Sequence, residues 1–141
     1  MRIYANSMRM VVDMTEIIYK ELCYTIYGIC YEMHRVMGSL CSEKQYQDVF
    51  EERLKLNKVP YEREKDLTFD FGVIKVGGNK VDFVIEGKLA VDFKAKKYIT
   101  REDFRQMLRY LKAGGYKLGL VVNFGKTKVV IKRVVNSGVR I

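Results

Sequence analysis

The segment from Lys80 to Lys97, KVDFVIEGKLAVDFKAKK, constrains the fold more than any other part of the chain. Two short apolar runs flank a turn at Gly87, which predicts a β-hairpin. Each run carries a carboxylate where an apolar residue would pack better, Asp82 in the first and Asp92 in the second. Lys94 follows two positions after Asp92.

Side chains alternate along a strand, so Asp92 and Lys94 point to one face while Leu89, Val91, Phe93 and Ala95 form the opposite, buried one. In the first strand Val81, Phe83 and Ile85 are expected to be buried, and Asp82 shares its face with Val84 and Glu86. Turn length decides whether the two acids meet. A two-residue loop would pair an even position with an odd one and split them across the sheet, whereas a three-residue loop, Glu86-Gly87-Lys88, sets Asp82 opposite Asp92. Directly opposed Cβ atoms lie roughly 4.5–5.5 Å apart, close enough for both carboxylates to share one ion. Two carboxylates that close repel unless a cation lies between them, so the pair, if formed, asks for a metal. Paired acids with a neighbouring ammonium suit metal-assisted hydrolysis of a phosphodiester.

At 141 residues the chain has room for one domain with a real core, here taken as residues 1–141, with those before Asp13 expected to be loosely ordered. The formal net charge of +9 favours a polyanionic partner, nucleic acid before an anionic membrane surface. A lysine-rich coat on a soluble protein is the plainer reading of the same charge. Cys23, Cys30 and Cys41 are odd in number and lack C-x-x-C spacing, which predicts free thiols, a reducing cytoplasm, and no zinc or iron–sulfur site. The apolar run Met10-Val11-Val12 stops at Asp13, so neither a signal peptide nor a membrane span is expected.

Helical spacing of Ile18, Leu22, Ile26, Ile29, Met33 and Met37 predicts a helix from about Thr15, its cap, to Met37. Tyr24, Tyr27, Tyr31 and His34 form a second stripe, read as a half-buried aromatic shoulder in preference to a ledge for stacking bases. Ser42 with Gln45 makes a capping box for a helix from Glu43 to about Lys58, with Tyr46, Val49, Phe50, Leu54 and Leu56 facing inward. A strand is expected over Tyr61–Phe69, a short one over Val73–Val76, and a turn at Gly77-Gly78-Asn79, before the acid-bearing pair. Thr100 with Asp103 caps a helix over Arg101–Ala113, with Phe104, Met107, Leu108 and Leu111 as its apolar stripe and Gly114-Gly115 as its stop. Strands Leu118–Phe124 and Lys128–Val135 close the chain. The order ααββββαββ predicts an α/β sandwich with a mixed central sheet flanked by helices. Leu118-Gly-Leu-Val-Val fits a central strand buried on both faces and parallel to the Asp92 strand.

Asp82, nine intervening residues and Asp92-Phe93-Lys94 resemble the signature of the PD-(D/E)xK nuclease superfamily. Ser42-Glu43-Lys44-Gln45-Tyr46, Val81-Asp82-Phe83-Val84 and Leu118 to Gly125 resemble, more narrowly, the GxxExxY proteins of that superfamily. Val81 stands where the superfamily name has proline, and Leu40 where the narrower motif has glycine, with Gly38 nearby. The resemblance implies a restriction-endonuclease-like core. It implies that Asp82 and Asp92, with Glu43 from an N-terminal helix, bind Mg²⁺ or Mn²⁺, and that Lys94 assists the attacking water. Gln106 and Tyr110, one helical turn apart, resemble the Q-x-x-x-Y element of RecB-like nucleases and would orient the phosphate or the lysine.

The expected activity is metal-dependent cleavage of DNA, or of RNA, with little sequence preference. Lys96, Lys97, Arg101, Arg105, Arg109 and Lys112 are candidate contacts to the phosphate backbone. Nucleases of this size often dimerise, so a homodimer is one expectation. Two other readings fit the same residues: a module that binds nucleic acid without turnover, and a protein acting through a partner. An ordinary cross-strand salt bridge on a solvated face is the plain reading of Asp92 and Lys94.

Overall fold

The computed structural model describes residues 18–139. Among these are α1 (Lys20–Met37), α2 (Glu43–Leu56), β1 (Tyr61–Asp70), β2 (Lys75–Ile85), β3 (Leu89–Lys94), α3 (Arg101–Gly114), β4 (Leu118–Asn123) and β5 (Val130–Val135). The strands form one sheet in the order β1-β2-β3-β4-β5, with β3 and β4 parallel and every other pair antiparallel. The α/β sandwich with a mixed sheet is as expected. β4 is buried along its whole length and lies parallel to β3, as its uninterrupted apolar run requires.

Two clusters cover the two faces of the sheet. Residues of α1 and α2 pack with Phe83, Ile85, Leu89, Val91 and Phe93 on one side. Met107, Tyr110 and Leu111 of α3 pack with Val84, Ala90, Val121 and Val134 on the other. Rings dominate the first cluster. Phe50 meets Phe83 and Phe93 edge-on, each at 4.9 Å between centroids, and Tyr46 stacks on Phe124 at 4.2 Å. The sequence repeats a pair here: Asp82-Phe83, Asp92-Phe93 and Asn123-Phe124. Each phenylalanine anchors in the ring cluster, so the pleat turns each preceding polar residue to the α3 face.

Several details depart from the sequence reading. Val73–Val76 and the Asp82 strand are not separate: β2 runs unbroken from Lys75 to Ile85, giving ααβββαββ. The register slips by one residue between Leu67 and Phe69, and Gly78 takes φ 85°. The glycine pair therefore makes a bulge inside a strand rather than a turn between two. Leu56 is 65% exposed, beyond the last inward turn of α2. On α3, Phe104 lies outside and Tyr110 takes the buried position instead. The first helix begins at Lys20, after Tyr19 in the left-handed region, and its expected cap, Thr15, lies outside the described residues, as do residues 1–13. The aromatic stripe of α1 also divides: Tyr24 and Tyr31 are exposed, while Tyr27 accepts a hydrogen bond from Arg133.

Both capping boxes form, at Ser42/Gln45 and Thr100/Asp103. Beyond β3 the chain is clasped to β4. The buried Asn123 accepts from Lys96 N and Gly125 N, each at 3.1 Å, and donates to Lys96 O at 2.8 Å. Gly125 lies so close that an added Cβ would sit 2.2 Å from Lys96 O and 2.4 Å from Lys96 N. Gly125→Ala should therefore destabilise the protein by about 2 kcal/mol or more, because backbone and not a flexible side chain must yield. Chemical denaturation measures this, and an unchanged midpoint would show that the clasp is not as tight as described.

Candidate active site

The β2–β3 connection is the three-residue loop Glu86-Gly87-Lys88, with Ile85 opposite Leu89 and Phe83 opposite Val91. Gly87 at φ 68° and Glu86 at φ 52° make the turn. That register brings Asp82 to Asp92. Instead of continuing the ladder, the two residues exchange side-chain bonds with backbone: Asp82 Oδ2 accepts from Phe93 N at 2.7 Å, and Asp92 Oδ1 accepts from Asp82 N at 3.3 Å. The pleat breaks here as well. Glu64 on β1 takes φ 53°, and Val81 joins the α3-side cluster while Phe83 joins the other.

Lys94 extends from the end of β3 into the same space. Its Nζ lies 3.2 Å from Asp92 Oδ2, donates to Gln106 Oε1 at 2.7 Å, and is 3.8 Å from Asp103 Oδ1. Asp103 in turn holds Lys96 Nζ at 2.6 Å. The structure thus brings together Asp82, Asp92, Lys94 and Gln106. The sequence marks Asp103 only as a helix cap, whereas in the structure it is both cap and site residue. Nothing local in the sequence marks the second role, since its partners come from β3 and the segment after it. Tyr110 is buried beneath the acids and not open to solvent. Glu43, the first residue of α2, is exposed, and its charge bears on both Asp82 and Lys94 without an ion pair to either.

The expected backbone contacts divide. Lys96 is engaged with Asp103. Arg101, Arg105, Arg109 and Lys112 are exposed, and at 100° per residue they fall on the side of α3 opposite Met107 and Tyr110, away from the acids. Arg109 donates to Asn79 Oδ1 at 3.0 Å, and Arg105 faces Glu102. Lys97 lies beside the Tyr98 ring.

The electrostatics follow from burial and crowding. Burial, then the charge of Asp92 and the hydrogen bond the pair makes, push the Asp82 carboxyl up to about 7. Burial works against the charge on Lys94, but Asp92 first, then Asp103 and Glu43, outweigh it and hold the ammonium above the ordinary lysine value. Burial and the nearby Asp92 raise the Tyr110 hydroxyl to about 12, so it stays neutral. For Asp103, burial is outweighed by Lys96 and the Thr100 amide, which hold it below the usual carboxylate range. Among the described residues no three His, Cys, Asp or Glu side chains are gathered as a ready metal cluster. The donors present nonetheless fit a hard cation. They are carboxylate oxygens only, and without a positive ion one of the pair keeps its proton near neutrality.

The sign of the pH effect is fixed by the raised Asp82 value. The unfolded chain releases this proton near 3.8 and the folded chain near 7, so the folded form binds more protons between them. In chelator, stability should be full below about pH 4, fall by on the order of 4 kcal/mol as pH rises from there to 7, and level off above it. Asp82→Asn should flatten that fall, and Mg²⁺ should restore stability at pH 8. Thermal melts across pH measure it; a wild-type profile no steeper than that of Asp82→Asn would contradict the paired arrangement.

No curated protein matches the chain. A protein named SSO0001, known from a crystal structure, shares the fold with a TM-score of 0.53 at 19% identity, over 86% of this chain and 59% of that one. The present chain therefore spans 59% of that protein's length. No helix among the described residues is long and apolar enough to cross a membrane. The sequence model of the PD-(D/E)XK nuclease superfamily matches residues 20–134, from the start of α1 into β5 and across every strand and helix that builds the site. The chain belongs to the PD-(D/E)XK nuclease superfamily.

Proposed function

We propose that the protein is a metal-dependent nuclease that hydrolyses phosphodiester bonds of DNA, or of RNA, with little sequence preference. The observation that carries this reading is the Asp82–Asp92 pair, Asp92 buried and Asp82 partly so, with Lys94 Nζ 3.2 Å from Asp92 and 2.7 Å from Gln106. Asp82 and Asp92, with Glu43 nearby, are the groups that would hold Mg²⁺ or Mn²⁺. Such an ion supplies a more acidic water and neutralises charge on the phosphate.

The other roles belong to side chains. Lys94 is held as an ammonium. It has no lone pair to take a proton, so it orients the attacking water and stabilises negative charge developing on the phosphate. Gln106 accepts one of its three protons and fixes where the other two point. Asp103 holds Lys96 at 2.6 Å and adds to the field that keeps Lys94 charged. Tyr110, neutral and buried, walls the acids from the core of α3.

We also assign the chain to the GxxExxY group, on the strength of how Glu43-x-x-Tyr46 is used. Tyr46 is fully buried; its hydroxyl donates to Gly38 O at 2.5 Å and accepts from Cys41 N at 3.3 Å. That fixes the α1–α2 connection and with it the start of α2, where Glu43 stands. The three free cysteines are consistent with a cytoplasmic setting.

The test is cleavage of single-stranded, double-stranded and branched DNA and of RNA in Mg²⁺ or Mn²⁺. Activity should vanish in EDTA, and Asp92→Ala or Lys94→Ala should lower the rate at least about 100-fold while the protein stays folded. Cleavage that survives either substitution would refute the assigned site. Binding that persists in EDTA with no cleavage under any metal would favour a non-catalytic module.

A further inference from the structure

We propose that the cleft beside Lys94, between Tyr98 and β5, binds one unpaired nucleotide of the substrate: Tyr98 stacks the base, and Lys126 and Lys132 take the adjoining phosphates. The inference rests on the nuclease reading for its place in the reaction and on the geometry below for its existence.

The cleft has a volume of about 240 Å³ and is lined by Tyr98, Ile99, Asn123, Lys126, Val130 and Lys132. Its charged lining is wholly basic. The register puts it on the catalytic face. Lys94 pairs with Asn123, which pairs with Val130, and Asp92 pairs with Val121, which pairs with Lys132. Directly paired residues face the same side, so Lys132 stands on the face of Asp92, two strands or roughly 10 Å away. Asn123 belongs to both places, since it lines the cleft and clasps Lys96.

Tyr98 leaves 60% of its surface in water. Lys126 Nζ lies 4.5 Å and Lys97 Nζ 5.9 Å from its centroid. Such contacts are weak when exposed. A flexible lysine can therefore leave the ring for a phosphate as a base arrives. Lys126 and Lys132 carry no ion pair with a carboxylate among the described residues, unlike Lys96. The backbone that carries Lys126 is fixed: His34 Nε2 bonds Lys126 O at 2.8 Å and Phe124 O at 3.1 Å, tying the β4–β5 connection to α1. This gives the single histidine a positioning role. A base inside a duplex has both faces covered by its neighbours, so a lone side-chain ring in a small cleft selects an unpaired one.

The chain has no tryptophan, so Tyr98→Trp installs a single reporter at the site. In EDTA, single-stranded oligo(dT) or oligo(U) should quench its fluorescence saturably, and blunt duplex DNA should not. Tyr98→Ala should raise Kd for the single strand roughly 5- to 150-fold, and Tyr98→Phe should restore it. Lys126→Ala and Lys132→Ala should each shallow the salt dependence by about 0.7 in the log–log slope. Absent quenching, equal quenching by duplex, or an unchanged Kd in Tyr98→Ala would overturn the proposal. Cleavage in Mg²⁺ with an unresponsive Tyr98→Trp would remove the cleft and leave the nuclease reading standing. Quenching without cleavage would support the cleft and remove the nuclease reading.

Discussion

The structure turns on two aspartates that take each other's place in a β-ladder. At Asp82 and Asp92 the side chains accept backbone protons from the facing strand. Each carboxylate is thereby satisfied on one oxygen and held within reach of the other. Like charges in a buried place repel. The protein answers in part with Lys94 and in part with a proton retained on Asp82. That compromise is what a divalent cation would relieve, and it explains why residues so ill suited to a sheet interior are placed there.

The rest of the fold serves this placement. Phe83, Phe93 and Phe124 lock the pleat from below against Phe50 and Tyr46. The α3 helix closes the other face and contributes Gln106 and Asp103 to Lys94. The Asn123 clasp and the close approach of Gly125 to Lys96 hold the end of β3 against β4, just beyond the lysine. Rigid aromatic packing on one side and a buried polar network on the other keep few rotamers open at the site.

Much of this was legible in the sequence because it rests on local rules. Strand parity narrows the hairpin to two registers, and the structure takes the one in which the three-residue loop Glu86-Gly87-Lys88 sets Asp82 against Asp92. Capping boxes at Ser42 and Thr100 fix two helix starts within a residue. What escaped depends on contacts between distant segments. Asp103 satisfies its local capping rule so well that nothing signals its pull on Lys94 and Lys96. Asn123 ends an apolar strand and shows no sign of clasping Lys96. Gly77-Gly78 has the same composition in a bulge as in a turn, and only the pairing of β1 along all of β2 decides between them. The basic stripe of α3 is real as a stripe, but the burial of Met107 and Tyr110 turns it away from the acids.

Diffraction from a crystal soaked in Mn²⁺ tests the central claim most directly. The account predicts an anomalous peak with oxygens of both Asp82 and Asp92 at roughly 2.0–2.6 Å. A well-bound ion elsewhere, with the aspartates still joined only to each other's strands and to Lys94, would contradict it.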